Sequence, residues 1–336
     1  MKTKNLHRLL FATTLSGIFL FTACKKSNSD SSSSTTSSTD LQTQSDDEAR
    51  VSTESNASFD DANTAMMNES SVSGASYASA ARFGVAVNGG NGELGAWSNT
   101  LCNATVTVDS TSNPRTITIT YNGKTADSLR SRTGSIVISI AQGVQWSDAG
   151  AVVTVNFNAV AITRLLDNKT ITFNGTHTYT NVSGGSLASL TTNSATPITH
   201  TITSSNMSIT FDNGTTRTWS VARQRVFSYN NGIVITQTGT YSTGTLQDIS
   251  EWGTNRYGNS FTCQITSPLV VAQSCNFQLT SGTHVLTNAA GVLTLTYGLN
   301  STGGVATSCP VLGSFYYFQL VWAGAGGKTY TFILPY

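Results

Sequence analysis

The sequence predicts an all-β protein built from antiparallel, sandwich-like sheets, and three observations carry that expectation. Segments alternate apolar and hydroxylated residues at period two, Asn-Gly dipeptides punctuate them at short intervals, and nothing after residue 85 sustains a helical period. A barrel is the minority geometry.

The alternation is plainest in Thr116–Tyr121, Ile136–Ile140, Val152–Phe157, Met207–Phe211 and Val292–Tyr297. Successive strand side chains point to opposite faces, so Ile and Val take one side while Thr and Ser take the other. That is the pattern of a sheet with one face on a core. Asn122-Gly123, Asn174-Gly175, Asn213-Gly214 and Asn231-Gly232 are read as hairpin turns, because Asn-Gly supplies the positive φ angles of a type I′ turn.

The region before the strands has a different character. Lys2, Lys4 and Arg8 precede a mostly apolar stretch of 13 residues, Leu9 to Phe21. A bilayer-spanning helix needs about 20 apolar residues, so this reads as a secretory signal over 1–23. Thr22 and Ala23 then lead to Cys24. Small residues directly before a Cys resemble the lipobox of bacterial lipoproteins, with Phe21 standing where Leu is commonest. The resemblance implies a diacylglyceryl thioether on Cys24, cleavage before it and N-acylation (palmitate-type chains), hence a membrane anchor. Lys25 follows rather than Asp, which points to the outer membrane; the leaflet stays open.

Residues 24–76 form the expected tether. Ser27 to about Ser70 is Ser, Thr, Asp and Asn with few apolar groups, so it lacks the area to offset the entropy of ordering. A brief helix around Asp60 to Glu69 is the only regular structure anticipated there. The β-rich region is 77–336, with candidate halves 77–195 and 196–336. Net charge is +1 overall, but past Ala80 twelve Lys or Arg face eight acidic residues, leaving that part near +4. So mild and diffuse a charge argues against nucleic-acid binding.

The halves are suggested by a loose duplication. Cys102-Asn-Ala-Thr-Val-Thr leads to a strand ending at Tyr121, and Cys275-Asn-Phe-Gln-Leu-Thr leads to one ending at Tyr297. Together with Arg130-Ser-Arg132-Thr-Gly134 and Ser267-Pro-Leu-Val through Ser274-Cys275, this resembles a group of uncharacterised Bacteroidetes-type outer-membrane lipoproteins. The acidic, Cys-bearing turns of that group are degraded here, at Tyr121-Asn-Gly-Lys and Tyr297-Gly-Leu-Asn. The resemblance implies fold and address, and no activity. An even set of four further cysteines in an exported chain suggests disulfides, with three pairings open and buried thiols as the alternative. The pattern of those lipoproteins favours Cys275–Cys309, stapling the strand pair of the second half; Cys102 lacks the partner that pattern would supply, which leaves it Cys263.

Chemistry is sparse. The densest cluster is Asp248-Ile-Ser-Glu251-Trp252-Gly-Thr-Asn-Arg256-Tyr257. On a loop, Trp252 and Tyr257 would stack on a sugar face while Asp248, Glu251 and Arg256 bond its hydroxyls. The carboxylate pair would also serve a glycosidase or help hold Ca²⁺; the bland alternative is a polar hairpin loop. Arg130 and Arg132 are candidates for an anion or, more simply, for bonds to loop carbonyls or Asp127. Arg223 and Arg225 share a face, read as a solvated stripe. His177, His200 and His284 are read as half-exposed strand residues isolated from the cysteines, so no metal and no cofactor is expected. Tyr330, Phe332, Leu334 and Tyr336 alternate as in the last strand of an outer-membrane barrel, although a closing strand of a soluble sheet explains them equally. The leading expectation is a non-enzymatic envelope module binding glycan, surface polymer or another envelope protein. A polysaccharide hydrolase using Asp248 and Glu251 is the alternative, and an outer-membrane barrel component the second.

Overall fold

The computed structural model describes residues 103–125, 128–192, 196–275, 277–310 and 315–336, together with positions 43, 46, 47, 50, 51, 54, 55, 57, 58, 61, 62, 65, 66, 69 and 72. The signal sequence, Cys24 and Cys102 lie outside the described residues. No described helix is long and apolar enough to cross a membrane.

The fold is all-β and antiparallel, as predicted. Its strands are β1 (Ala104–Asp109), β2 (Arg115–Lys124), β3 (Arg130–Ile140), β4 (Ala151–Arg164), β5 (Lys169–Asn181), β6 (Ile198–Phe211), β7 (Thr216–Tyr229), β8 (Ile233–Gly239), β9 (Tyr241–Thr243), β10 (Leu246–Thr254), β11 (Ser260–Ala272), β12 (Gln278–Asn288), β13 (Gly291–Leu299), β14 (Tyr317–Gly324) and β15 (Thr329–Pro335). All belong to one 15-stranded sheet that meanders from β1 to β7, passes to β10, and meanders on to β15. β8 pairs with β7 and β11, and β9 with β10. The anticipated boundary at 195/196 falls between β5 and β6, yet these strands pair directly and one core runs across them.

Four of the five quoted alternations are buried every second residue along their whole length: Ile117, Ile119 and Tyr121; Ile136, Ile138 and Ile140; Val153, Val155 and Phe157; Met207, Ile209 and Phe211. In the fifth, Leu293 and Leu295 are buried and Tyr297 is packed against the core. The opposite face of β4 carries Thr154, Asn156 and Asn158, all exposed. Along β4 and β5 that outward face is hydroxyl- and amide-bearing, unlike the apolar band of a lipid-facing barrel.

Two of the four Asn-Gly turns fall where predicted, after β6 and between β7 and β8. Asn122-Gly123 instead lies inside β2, and Asn174-Gly175 sits inside β5 at a register shift. At Gly175 the positive φ serves a bulge rather than a turn: a Cβ there would stand 2.5 Å from the Asn206 carbonyl oxygen. Matching shifts occur between Thr133 and Ser135, Phe157 and Val160, and Ser204 and Met207. Bulges bend the strands that carry them, and these lie on neighbouring strands.

The turns after β2, β4, β6 and β10 share one rim of the sheet; the loops after β3 and β5 form the other. A satellite core at the second rim gathers Leu187 and Leu190 of a short helix (Leu187–Thr192) with Ile198, Phe227, Ile233 and Phe277.

The tether expectation changes most. Of its described positions, all but Glu69 are helical, and they recur every three or four residues, which places them on one helical face. That face is buried, and Val51, Ala62, Ala65, Met66 and Val72 belong to the same core as the strand residues. The chain here is packed on the sheet at these positions, beyond the brief helix anticipated around Asp60. The other positions of the expected 24–76 tether lie outside the described residues.

Candidate functional site

The polar side of this helical face explains how so hydrophilic a segment is held. Asp46, Asp47, Glu54 and Asp61 each meet an arginine of the sheet. Arg164, at the end of β4, bonds both Asp46 oxygens at 2.7 and 3.0 Å. Arg256, in the β10–β11 turn, lies 2.7 Å from Asp47 and stacks on the Phe211 ring at 3.6 Å. On β3, Arg130 bonds both Glu54 oxygens at 3.2 and 3.1 Å, and Arg132 donates to Asp61 at 2.7 Å. Asp61 also accepts from the Tyr121 hydroxyl, and Arg132 reaches Asn103. Strand alternation puts Arg130 and Arg132 on one face of β3. Their partners include these carboxylates; Asp127 lies outside the described residues.

The four pairs gather towards the first rim, where Arg130 faces Arg164 in register. Arg164 and Arg256 sit at the first rim, whereas Val72 accepts a bond from the Trp146 amide at the second. Burial pushes the Glu54 carboxyl up, against the pull of Arg130. Burial also lowers the Arg50 guanidinium, with Arg164 adding like charge. Hydrogen bonds to Asp167 and Asp46 raise that of Arg164.

A second polar group lies on the core face from β5 to β12. Glu251 is buried between Arg217 (3.1 Å) and Arg223, one arginine on each carboxylate oxygen. Arg225 donates to Gln237 at 2.8 Å. Arg223 and Arg225 do share a face, but it is the inner one, because Trp219, Val221 and Phe227 of the same parity fill the core. All three histidines are likewise buried rather than half-exposed. His177 bonds the Tyr179 hydroxyl and packs on Phe157; His200 lies between Trp146 and Phe227. Burial pulls both imidazoles down to about 3, with Arg225 adding like charge to each. They are neutral at pH 7.

His284 is not isolated from the cysteines, since its Nε2 lies against the Cys263 sulfur. Cys263 is a buried thiol and not half of a disulfide, which removes the bridge expected to Cys102. The other expected bridge is present: Cys275 and Cys309 are bonded, with Cα atoms 5.2 Å apart. Among the described residues no three His, Cys, Asp or Glu side chains gather to hold a metal ion.

The residues of the 248–257 cluster part company. Glu251 faces the core with one arginine on each carboxylate oxygen. Asp248 is exposed, at a bulge with φ of 57°. The two carboxylates therefore do not converge. Trp252 takes the face of β10 opposite Glu251, flanked in register by Ser220 and Thr262, and stacks on Tyr241 at 4.0 Å. Tyr257 is exposed in the turn, where it lines a small pocket with Arg256, Asn255, Phe211 and Asp47. Arg256 and Tyr257 are thus brought together, away from Trp252.

Comparison with protein-family models, with curated proteins and with solved structures finds no match to the chain.

Proposed function

We propose that the protein is a lipid-anchored, non-enzymatic binding module of the cell envelope, tethered at Cys24 to the outer membrane and engaging neutral glycans through its outer face. The observation that carries this reading is the split of the acidic cluster. Glu251 is consumed inside by Arg217 and Arg223, while the Trp252–Tyr241 stack stands outside among uncharged hydroxyls. An aromatic plate flanked by Ser220 and Thr262 suits the apolar face and hydroxyl rim of a sugar. A carboxylate clamped by two cations does not suit acid–base work on a glycosidic bond.

Glycan-array binding by the wild-type chain, lost on Trp252→Ala and kept on Asp248→Asn, is the expected result. Hydrolysis of any arrayed polysaccharide that is abolished by Asp248→Asn would replace this reading with the hydrolase. For the anchor, labelled palmitate should enter the wild-type chain in cells and not Cys24→Ser, which should leave the membrane fraction.

A further inference from the structure

The core face of the sheet runs on past its cover at the C-terminal edge. In register, Tyr330, Phe332 and Leu334 of β15 lie beside Trp322, Leu320 and Phe318 of β14. Leu320 is buried, and Phe318 and Trp322 pack against the core. The β15 residues of the same face are 45%, 52% and 42% exposed. β15 pairs with β14 on one side, and among the described residues no strand pairs with the other.

This edge is held in place. Beyond β15 the Tyr336 amide bonds the Tyr316 carbonyl, its hydroxyl accepts from the Gly298 amide and donates to the Leu279 carbonyl, and its ring stacks on Tyr316. Between Thr329 and Pro335 there is no charged side chain. Free edges are ordinarily protected by charge, by Pro, by bulges or by brevity; over its seven residues β15 carries no charge and no bulge, and its one Pro, Pro335, stands at the very end.

We propose that β15 is an interface for a second copy of this chain, formed by antiparallel pairing of the two β15 strands about a two-fold axis at Phe332. Strand direction selects that pairing. The meander alternates direction at every step, so β1 and β15, its two ends, run the same way. With the core faces kept on one side, joining β15 of one copy to β1 of another gives a parallel pair. Joining β15 to β15 gives an antiparallel one, the form every other pair in the sheet takes. Centred on Phe332, the pairing sets Tyr330 against Leu334 of the other copy and Lys328 against Tyr336. Like charges therefore never meet, and the apolar row continues unbroken across the axis.

Cross-linking in the full-length chain tests this directly. In an antiparallel pair only the residue on the axis faces itself, at a Cα separation of about 5 Å that a disulfide accepts. Phe332→Cys should give an oxidised dimer at least tenfold more abundant than Tyr330→Cys or Ile333→Cys, each of which faces a different residue. Because Phe332→Cys itself disturbs the edge, sedimentation of the unaltered chain is the second arm, with a dimer expected at tens of micromolar and a monomer for Phe332→Lys. Equal cross-linking at all three positions would mean random collision and overturn the proposal. So would a monomer, whether its β15 amides exchange slowly, showing that another part of the same chain covers the edge, or quickly, showing that the edge stays open.

Discussion

The guanidinium of Arg132 donates to the carboxylate of Asp61 across 2.7 Å, with the two side chains only 2% and 3% exposed. The Tyr121 hydroxyl completes the arrangement, and the Arg132 carbon lies 4.3 Å from the centre of the Tyr121 ring. This pair ties the serine-rich region to the strand core. Removing one partner strands a buried charge, which costs about 3–5 kcal/mol, whereas replacing both with apolar groups of similar volume is often neutral. Arg132→Ala should thus lower the free energy of urea unfolding by roughly that amount, and Arg132→Met combined with Asp61→Leu should recover most of it. Equal losses in both variants would show that the ion pair does not secure the segment.

How much of this was legible depends on which face a residue turns. The strands were, since Ile117, Ile119 and Tyr121 alternate with threonines in plain view. The helical face was not, because its buried Val51, Ala62 and Met66 are interspersed with Asp47, Glu54, Ser58 and Asp61, residues that ordinarily mark a solvated segment. The seven-residue spacing of Asp47, Glu54 and Asp61 was readable, but its counterpart, arginines on distant strands, is set only by the sheet. The histidines were readable in part: period two puts His177 on the face of Phe173 and Tyr179, which is the buried one along β5. Asp248 and Glu251 illustrate the converse: three residues apart, an odd spacing that a strand puts on opposite faces, one is exposed and the other buried.

Glu251 and Asp248 should therefore behave differently on substitution. Glu251→Ala leaves Arg217 and Arg223 without their shared carboxylate in the core, at a cost of about 3–5 kcal/mol. Asp248→Asn, at an exposed site whose positive φ Asn tolerates, should stay within about 0.5 kcal/mol of wild type. Parallel urea titrations of the two variants check the contrast. Comparable destabilisation by both would mean that the carboxylates act together.

The Cys275–Cys309 bond closes a loop of 34 residues, tying the 3-10 turn before β12 to the loop before β14. In the chain-entropy view a loop of that length is worth about 3–4 kcal/mol. The Cys275→Ser/Cys309→Ser double variant should lose a comparable amount, with a lowered melting temperature. Peptide mapping without reductant should recover the 275–309 pair and leave Cys263 alkylated only after unfolding. Recovery of Cys263 in a disulfide would refute the assignment of a buried thiol.

Acid should weaken the fold in a window set by His177 and His200. Both are pulled from the ordinary 6.5 to about 3, chiefly by burial, so the folded chain excludes protons that the unfolded chain takes up between those values. The unfolded state binding more protons means that stability rises with pH through the window. It is fully present above 6.5 and drains as pH falls towards 3. Each imidazole contributes about 1.4 kcal/mol per pH unit once the unfolded one is protonated, so the pair removes roughly 2 kcal/mol between pH 6 and 5. Glu54 works the other way, because burial raises its carboxyl and acidification towards its ordinary 4.5 relieves that cost. One raised acid offsets part of two depressed imidazoles, and the net slope keeps the histidine sign. Urea unfolding at pH 7, 6 and 5 measures it. His177→Gln, which retains a polar group beside Tyr179, should remove about half of the slope, and an unchanged slope would show that His177 is not the neutral, sealed imidazole its surroundings dictate.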